Sequence, residues 1–127
     1  MNRIENAIYL KHNGYNCAQA VLLSYKDILK LSEEELKKIG SGFAIGMGNM
    51  ESTCGALIGA NIVLGLVGDG SLYTVKKSRI LMERFKELSK ETICKVLKGI
   101  DTGVVITPCD DCIKNAIIAL DELLEVK

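Results

Sequence analysis

The sequence predicts an all-α fold, a single-domain helical bundle of about five to seven helices. Apolar residues recur at steps of three and four along nearly the whole chain, which is the spacing of one helix face. The one strand-like run, residues 104–106, is only three residues long and lies between Gly103 and Pro108. No linker composition or internal repeat divides the chain, so residues 1–127 are expected to form one domain.

The first two helices are predicted on either side of residues 13–16, where Asn-Gly-Tyr-Asn ends one helix and begins the next. A third helix is predicted to begin after Ser32, because Glu35 lies three residues later and completes a capping box. Glycines at positions 40, 42, 46 and 48 then weaken or end it. The apolar positions of the first two helices are Ile4, Ala7 and Ile8, then Cys17, Ala18, Val21, Tyr25 and Ile28.

Residues 53–67 form the most apolar stretch and are predicted to be a buried helix with Ser52 or Thr53 as its N-cap. At about 15 residues the stretch is shorter than the roughly 20 that a membrane span requires. Gly55 and Gly59 lie one turn apart and allow a second backbone to approach closely. That partner can belong to the same chain or to a second copy, so a homo-oligomer is compatible with the sequence.

Three further helices are predicted in the second half of the chain. A long one covers about Tyr73–Ser89, a short one covers residues 93–97, and the last begins at the residues that follow Pro108. The long helix carries the apolar residues Val75, Ile80, Met82, Phe85 and Leu88. The last helix carries the continuous apolar stripe Ile113, Ala116, Ile117, Leu120, Leu123 and Leu124.

The composition excludes several classes of function. Sixteen basic and sixteen acidic residues give a formal net charge of zero, so no basic excess is available to bind nucleic acid. The N-terminal residues contain no apolar run typical of a signal peptide, and a cytoplasmic location without a membrane partner is expected. Thiols are normally reduced there, and an odd count of five cysteines argues against a purely structural set of disulfides.

Four of the five cysteines lie at predicted helix starts: Cys17, Cys54, Cys109 and Cys112. A helix N-terminus stabilises the thiolate, because its free N–H groups and dipole present partial positive charge. Cysteine is also a common buried residue. Taken alone, Cys17 and Cys94 are each interpreted as core residues.

The CxxC pair Cys109-Asp-Asp-Cys112 is the strongest local motif, and at a helix start it suits disulfide exchange or metal ligation. The two intervening aspartates oppose thiolate formation, so the pair is expected to differ from the low-pKa pairs of oxidoreductases. Zinc or an iron–sulfur cluster is the alternative, with Cys54, Cys94, Cys109 and Cys112 as the ligands. The spacing does not decide between the two chemistries.

Two other features are interpreted as structural. His12 is the one histidine, follows a lysine in a polar turn, and is predicted to be a surface residue. The glycine-rich stretch at residues 40–48 has neither the preceding strand nor the GK[ST] ending of a phosphate-binding loop. It is predicted to be a flexible or tightly packed connection.

Taken together, Asn16-Cys17-Ala18-Gln19, Cys54-Gly55-Ala56-Leu57-Ile58-Gly59, Cys94 and Cys112 resemble the C-GCAxxG-C-C family of redox-active proteins, nearly end to end. The resemblance implies a small all-helical domain in which Cys17, Cys54, Cys94 and Cys112 act in redox chemistry. Thr53 stands where the family pattern has glycine, and Cys109 is an addition to the pattern.

The leading hypothesis is a cytoplasmic redox-active protein in which some of the five cysteines form a reversible disulfide, as in a thiol–disulfide oxidoreductase. Its partner would be a redox protein or a small-molecule thiol. The second hypothesis is a module that binds a metal or an iron–sulfur cluster through the same thiols. The third is a helical interaction or ligand-binding domain whose cysteines are inert.

Overall fold

A computed structural model describes residues 2–124 and confirms the all-α fold. These residues form seven α-helices and one short 3-10 helix, Ser41–Phe43. The α-helices are α1 (Arg3–Lys11), α2 (Cys17–Ser24), α3 (Glu33–Gly40), α4 (Gly55–Val67), α5 (Tyr73–Ser89), α6 (Cys94–Lys98) and α7 (Cys109–Leu124). None of the helices formed by residues 2–124 combines the length and the apolar character that a membrane crossing requires.

Two of the predicted helix caps are present. The Asn16 side chain accepts a hydrogen bond from the Gln19 amide at 2.8 Å, and the Gln19 side chain accepts one from the Asn16 amide at 3.0 Å. Ser32 and Glu35 form the same reciprocal capping box at the start of α3. Each box satisfies two backbone donors that a helix start otherwise leaves free.

The start of α4 differs from the prediction. Neither Ser52 nor Thr53 caps this helix, because both lie in an extended segment that pairs with the chain before α6. Cys54 is the N-cap residue, and no side chain accepts a hydrogen bond from the first turn. The amides of Ala56 and Leu57 in this first turn therefore remain free, and they stabilise a thiolate on Cys54.

The glycine face of α4 packs on α2 of the same chain. A methyl group added at Gly59 would lie 2.7 Å from the carbonyl oxygen of Ala18. One added at Gly55 would lie 2.9 Å from the carbonyl oxygen of Phe43 and 3.5 Å from the Cβ atom of Cys17. The glycines thus bring the backbones of two helices into direct contact, and they place the start of α4 against the start of α2.

Helix α7 lies in the core and packs against α1, α4 and α5. The predicted stripe is confirmed, since Ile113, Ala116, Ile117 and Leu120 are fully buried. Only some of the apolar residues of α5 face the core. Leu81 and Phe85, one turn apart, are buried, whereas Val75, Ile80 and Met82 are exposed. Helix α5 covers α4 and α7 from one side only, which leaves its other apolar residues facing outward.

Helix α2 ends at Ser24 and does not continue to Ile28 as predicted. The Arg3 guanidinium donates to the Ser24 carbonyl, which therefore has no amide partner in a further helical turn. Arg3 also lies over the ring of the buried Tyr25, 4.1 Å from its centroid. The Tyr25 hydroxyl donates to the Asp121 carboxylate, so this cluster connects α1, the end of α2 and α7.

We predict that Gly59→Ala lowers the free energy of unfolding by about 1–3 kcal/mol, because the added methyl group would collide with the Ala18 carbonyl. Gly65→Ala is the matched control on the same helix, since nothing lies within 4 Å of a methyl group at that position. Gly65→Ala should raise the free energy of unfolding by about 0.5–1 kcal/mol through helix propensity. Urea denaturation followed by circular dichroism measures both. Equal stabilisation by the two substitutions would contradict the close contact between α2 and α4.

Candidate thiol site

All five cysteines lie at or beside a helix start. Cys17, Cys94 and Cys109 are the first residues of α2, α6 and α7, Cys54 is the N-cap of α4, and Cys112 lies one turn into α7. The predicted placement of four cysteines is confirmed, with Cys54 one position earlier on its helix than expected. Cys94 shares this placement, because the helix predicted at residues 93–97 begins one residue later.

Backbone pairing brings Cys54 and Cys94 side by side. The two chain segments run antiparallel around a bridge between Thr53 and Ile93. The Cys54 amide donates to the Thr92 carbonyl at 2.7 Å, and the Cys94 amide donates to the Ser52 carbonyl at 3.0 Å. The starts of α4 and α6 are consequently held together although 40 residues separate the two cysteines in sequence.

Four of the sulfurs line one small cavity of about 140 Å³. Its lining contains two lysines and, within the described residues, no carboxylate. The residues that line it are Lys11, Asn16, Cys17, Ala44, Ile45, Cys54, Gly55, Cys94, Lys98 and Cys109. Cys112 is fully buried and is not part of this lining; its sulfur lies 3.6 Å from the Thr107 carbonyl oxygen.

Part of the glycine-rich stretch covers this cavity. We call residues 44–50 the cover. Ala44 and Ile45 line the cavity, and the Met50 carbonyl accepts a hydrogen bond from the Lys95 amide at 2.7 Å. Ile45 has a φ of 48°, which a β-branched residue adopts rarely, and Gly46 follows with a φ of 95°. The prediction of a tightly packed connection agrees with this hydrogen bonding, but the sequence did not indicate its position over the thiols.

Cys17 and Cys109 line the same cavity and form the first pair of interacting thiols. The hydrogen bond from Cys17 lowers the pKa of Cys109 to about 5, and the Lys98 and Lys11 ammonium groups act in the same direction. The same hydrogen bond, together with burial, raises the pKa of Cys17. Cys109 is therefore the thiolate of this pair, and Cys17 is the thiol that donates to it.

Cys54 and Cys112 form the second pair. The hydrogen bond from Cys112 lowers the pKa of Cys54 to about 7, and the free amides of Ala56 and Leu57 in the first turn of α4 contribute to this shift. The pKa of Cys112 is raised by its hydrogen bond to Cys54 and by burial. The two cysteines of the CxxC motif therefore contact different partners on different helices.

Lys98 is a functional residue that the sequence analysis missed. Its ammonium nitrogen is buried and has no oxygen or nitrogen acceptor within the described part of the chain. Burial alone would lower the pKa of Lys98, but the sulfurs of Cys109, Cys112 and Cys54 outweigh this effect and raise it. A signal was available, because Lys98 follows Cys94 by four residues and therefore lies on the same face of α6.

The aspartates of the CxxC motif do not suppress the Cys109 thiolate, so the expected difference from low-pKa pairs is wrong for this cysteine. Asp110 is hydrogen-bonded to His12, with 2.8 Å between its Oδ2 and the histidine Nε2. Both side chains are largely exposed, as predicted for His12, and the carboxylate charge is directed to solvent. The lysines act from inside the cavity, where charges are screened less.

Cys94 lines the cavity but does not belong to either pair. Burial raises its pKa. Among residues 2–124, no group of three or more histidine, cysteine, aspartate or glutamate side chains is arranged to hold a metal ion. Cys54, Cys94, Cys109 and Cys112, the alternative ligand set, therefore do not form a group arranged to hold one metal ion. The thiols interact in two separate pairs.

The fold and the site together define an all-α domain that collects cysteine thiols, drawn from the starts of separate helices, around a lysine. A family model described as "Putative redox-active protein (C_GCAxxG_C_C)" matches residues 15–123, and the chain belongs to this family. The match includes all five cysteines, which confirms the resemblance found in the sequence. No curated protein and no solved structure matches the chain significantly.

We predict that iodoacetamide alkylates Cys109 faster than the other four cysteines. Because the pKa of Cys109 is lowered to about 5, its reaction rate should rise through that pH and be level by about pH 7. An ordinary thiol, with a pKa of about 8.5, would still be gaining reactivity there. Lys98→Gln should move the midpoint to higher pH, because it removes a positive charge that stabilises the thiolate.

The measurement is peptide mass spectrometry after brief alkylation between pH 4 and pH 9. Lys114→Gln is the control, since Lys114 is exposed on α7 and does not line the cavity. Slow alkylation of all five cysteines in the folded protein would contradict a reactive thiolate and would favour inert, structural cysteines.

Proposed function

We propose that the protein is a cytoplasmic thiol–disulfide redox protein in which Cys109 is the nucleophile and Cys17 the resolving thiol. The observation that carries this proposal is the contact between these two thiols at a cavity that also holds the Lys98 ammonium group. A nucleophile requires a thiolate, and a resolving cysteine requires a thiol within bonding reach of it. The Cys17–Cys109 pair supplies both.

The reaction is an exchange of two electrons with a substrate disulfide. The Cys109 thiolate attacks one sulfur of the substrate, forms a mixed disulfide and releases the other substrate sulfur as a thiolate. Cys17 then loses its proton and attacks the Cys109 sulfur. This step forms the Cys17–Cys109 disulfide and releases the second substrate thiolate. The protein is oxidised by two electrons and the substrate disulfide is reduced to two thiols.

Cys54 and Cys112 form a second pair that, like the first, consists of one thiolate and one thiol. Cys112 and Cys109 lie one turn apart on α7, so the two pairs are adjacent. The second pair differs in burial, since Cys54 and Cys112 are almost completely enclosed whereas Cys17 and Cys109 are half-buried. We propose that substrates react at the Cys17–Cys109 pair and that the Cys54–Cys112 pair is oxidised later, from within the protein.

We expect the reduced protein to show five free thiols and to lose two of them as the glutathione redox potential is raised. Peptide mapping should assign the lost pair to Cys17 and Cys109, and a further two thiols, Cys54 and Cys112, should be lost at a higher potential. Adding dithiothreitol should restore all five. The measurement is thiol counting in anaerobic glutathione buffers, followed by mass spectrometry of the alkylated peptides.

Cys94→Ser is the matched control, because Cys94 lines the same cavity without a thiol partner. It should leave the first oxidation unchanged, whereas Cys109→Ser should abolish it. A thiol count that stays constant across biological potentials would contradict the proposed function. Loss of a Cys109–Cys112 pair in place of Cys17–Cys109 would contradict the assignment of roles.

A further inference from the structure

The buried ammonium group of Lys98 is the feature that a disulfide substrate does not explain. An ion held away from water is costly unless it is paired, and buried charges in proteins are normally matched by a counter-charge or by hydrogen bonds. Lys98 lines the cavity, yet no described oxygen or nitrogen accepts from it. An uncharged disulfide would supply neither an oxygen acceptor nor a counter-charge, and an uncharged peroxide would supply an acceptor without a counter-charge.

The charges around the cavity favour an anion. Lys11 and Lys98 both line it, and no carboxylate of the described residues does; the anionic groups are the Cys109 sulfur and, when it is ionised, the Cys54 sulfur. While Cys54 keeps its proton, two positive charges face one thiolate inside a small apolar space. The nearest acidic residue on α7, Asp110, is engaged with His12 at the surface. A second negative charge can therefore enter beside the thiolate.

The size of the cavity restricts the ligand to a few heavy atoms. A volume of about 140 Å³ is enough for several water-sized groups but not for a peptide, and the cover closes one side of it. The ligand must also be one that a thiolate attacks without a further oxidant. A small anion with a sulfane sulfur, which is a sulfur bonded to another sulfur and open to nucleophilic attack, meets all three requirements.

We propose that the cavity binds a small anion carrying a sulfane sulfur, with thiosulfate as the simplest example, and that Cys109 accepts this sulfur as a persulfide. Lys98 and Lys11 bind the anion, and they stabilise the negative charge of the group that leaves. This inference rests on the proposed function only in using Cys109 as the nucleophile and Cys17 as the resolving thiol.

The steps balance without another reactant. The Cys109 thiolate attacks the sulfane sulfur of thiosulfate, the sulfur–sulfur bond of thiosulfate breaks, and sulfite leaves with the bonding electron pair. Cys109 now carries a persulfide whose outer sulfur is anionic and faces the same lysines. Cys17 then transfers its proton to this outer sulfur and attacks the Cys109 sulfur. The products are the Cys17–Cys109 disulfide and hydrosulfide, so the two cysteines reduce one sulfane sulfur by two electrons.

The experiment mixes reduced protein with thiosulfate under anaerobic conditions and measures sulfite, sulfide and the intact mass. The wild type should release one equivalent each of sulfite and sulfide and form the Cys17–Cys109 disulfide. Cys17→Ser should release sulfite, retain one added sulfur atom on the Cys109 peptide, and release no sulfide. Cys109→Ser should release neither product.

Lys98→Gln should slow sulfite release by about 10-fold to 100-fold, the range expected when a charged partner of an anion is lost. Lys114→Gln should react like the wild type, because Lys114 lies outside the cavity. If Lys98→Gln does not fold, the alkylation of Cys109 by iodoacetamide is measured on the wild type in the presence of sulfite. Because sulfite is the anionic product, it should occupy the cavity and slow this alkylation in a concentration-dependent manner.

The results separate this inference from the proposed function. Formation of the Cys17–Cys109 disulfide in glutathione buffer, without sulfite release from thiosulfate, would overturn the sulfur transfer alone. A folded Lys98→Gln variant that releases sulfite at the wild-type rate would overturn the assignment of the anion to Lys98. Alkylation of Cys109 at a rate that sulfite does not change would overturn it as well. A constant thiol count in the glutathione buffers would overturn the proposed function itself.

Discussion

The contact between the glycine face of α4 and the backbone of α2 is the constraint on which the rest of the structure depends. Gly59 meets the Ala18 carbonyl, and Gly55 lies against Cys17, so the two helix starts lie closer together than side chains would permit. Cys54 and Cys17 are carried into one cavity by this contact. The other sulfurs are added by the backbone pairing before α6 and by the position of α7 against both helices.

Electrostatics then divides the cysteines into unequal partners. Each pair combines one sulfur whose thiolate is stabilised, by a hydrogen bond from a thiol and in Cys54 also by the free amides of the helix start, with one thiol that donates and whose pKa is raised. Lys98 acts on both pairs from between them, which explains why a single cation influences Cys54, Cys109 and Cys112. The exposed carboxylates of the CxxC motif have little influence by comparison, because solvent screens them.

The sequence was sufficient to predict the helical class, the long helix at Tyr73–Ser89, the capping box of Ser32 and Glu35, and the placement of cysteines at helix starts, because these are local properties of the chain. It was not sufficient where the outcome depends on distant residues. Lys98 has the appearance of a solvated lysine until the start of α7 places Cys109 beside it, and the partner of His12 lies on the same helix. The sequence could not show which apolar residues of α5 face the core, because an apolar residue is buried only if another element covers it.

The two cysteines of the CxxC motif pair with cysteines of two different helices, and this has a consequence for the stability of the fold. Oxidation as proposed would join α7 covalently to α2 through Cys109 and to α4 through Cys112, two links that close long stretches of chain. Closing a loop that approaches 100 residues removes enough freedom from the unfolded chain to add about 4.6 kcal/mol in the chain-entropy treatment. Oxidation of the thiols would then raise the free energy of unfolding of the helical bundle, and reduction would lower it.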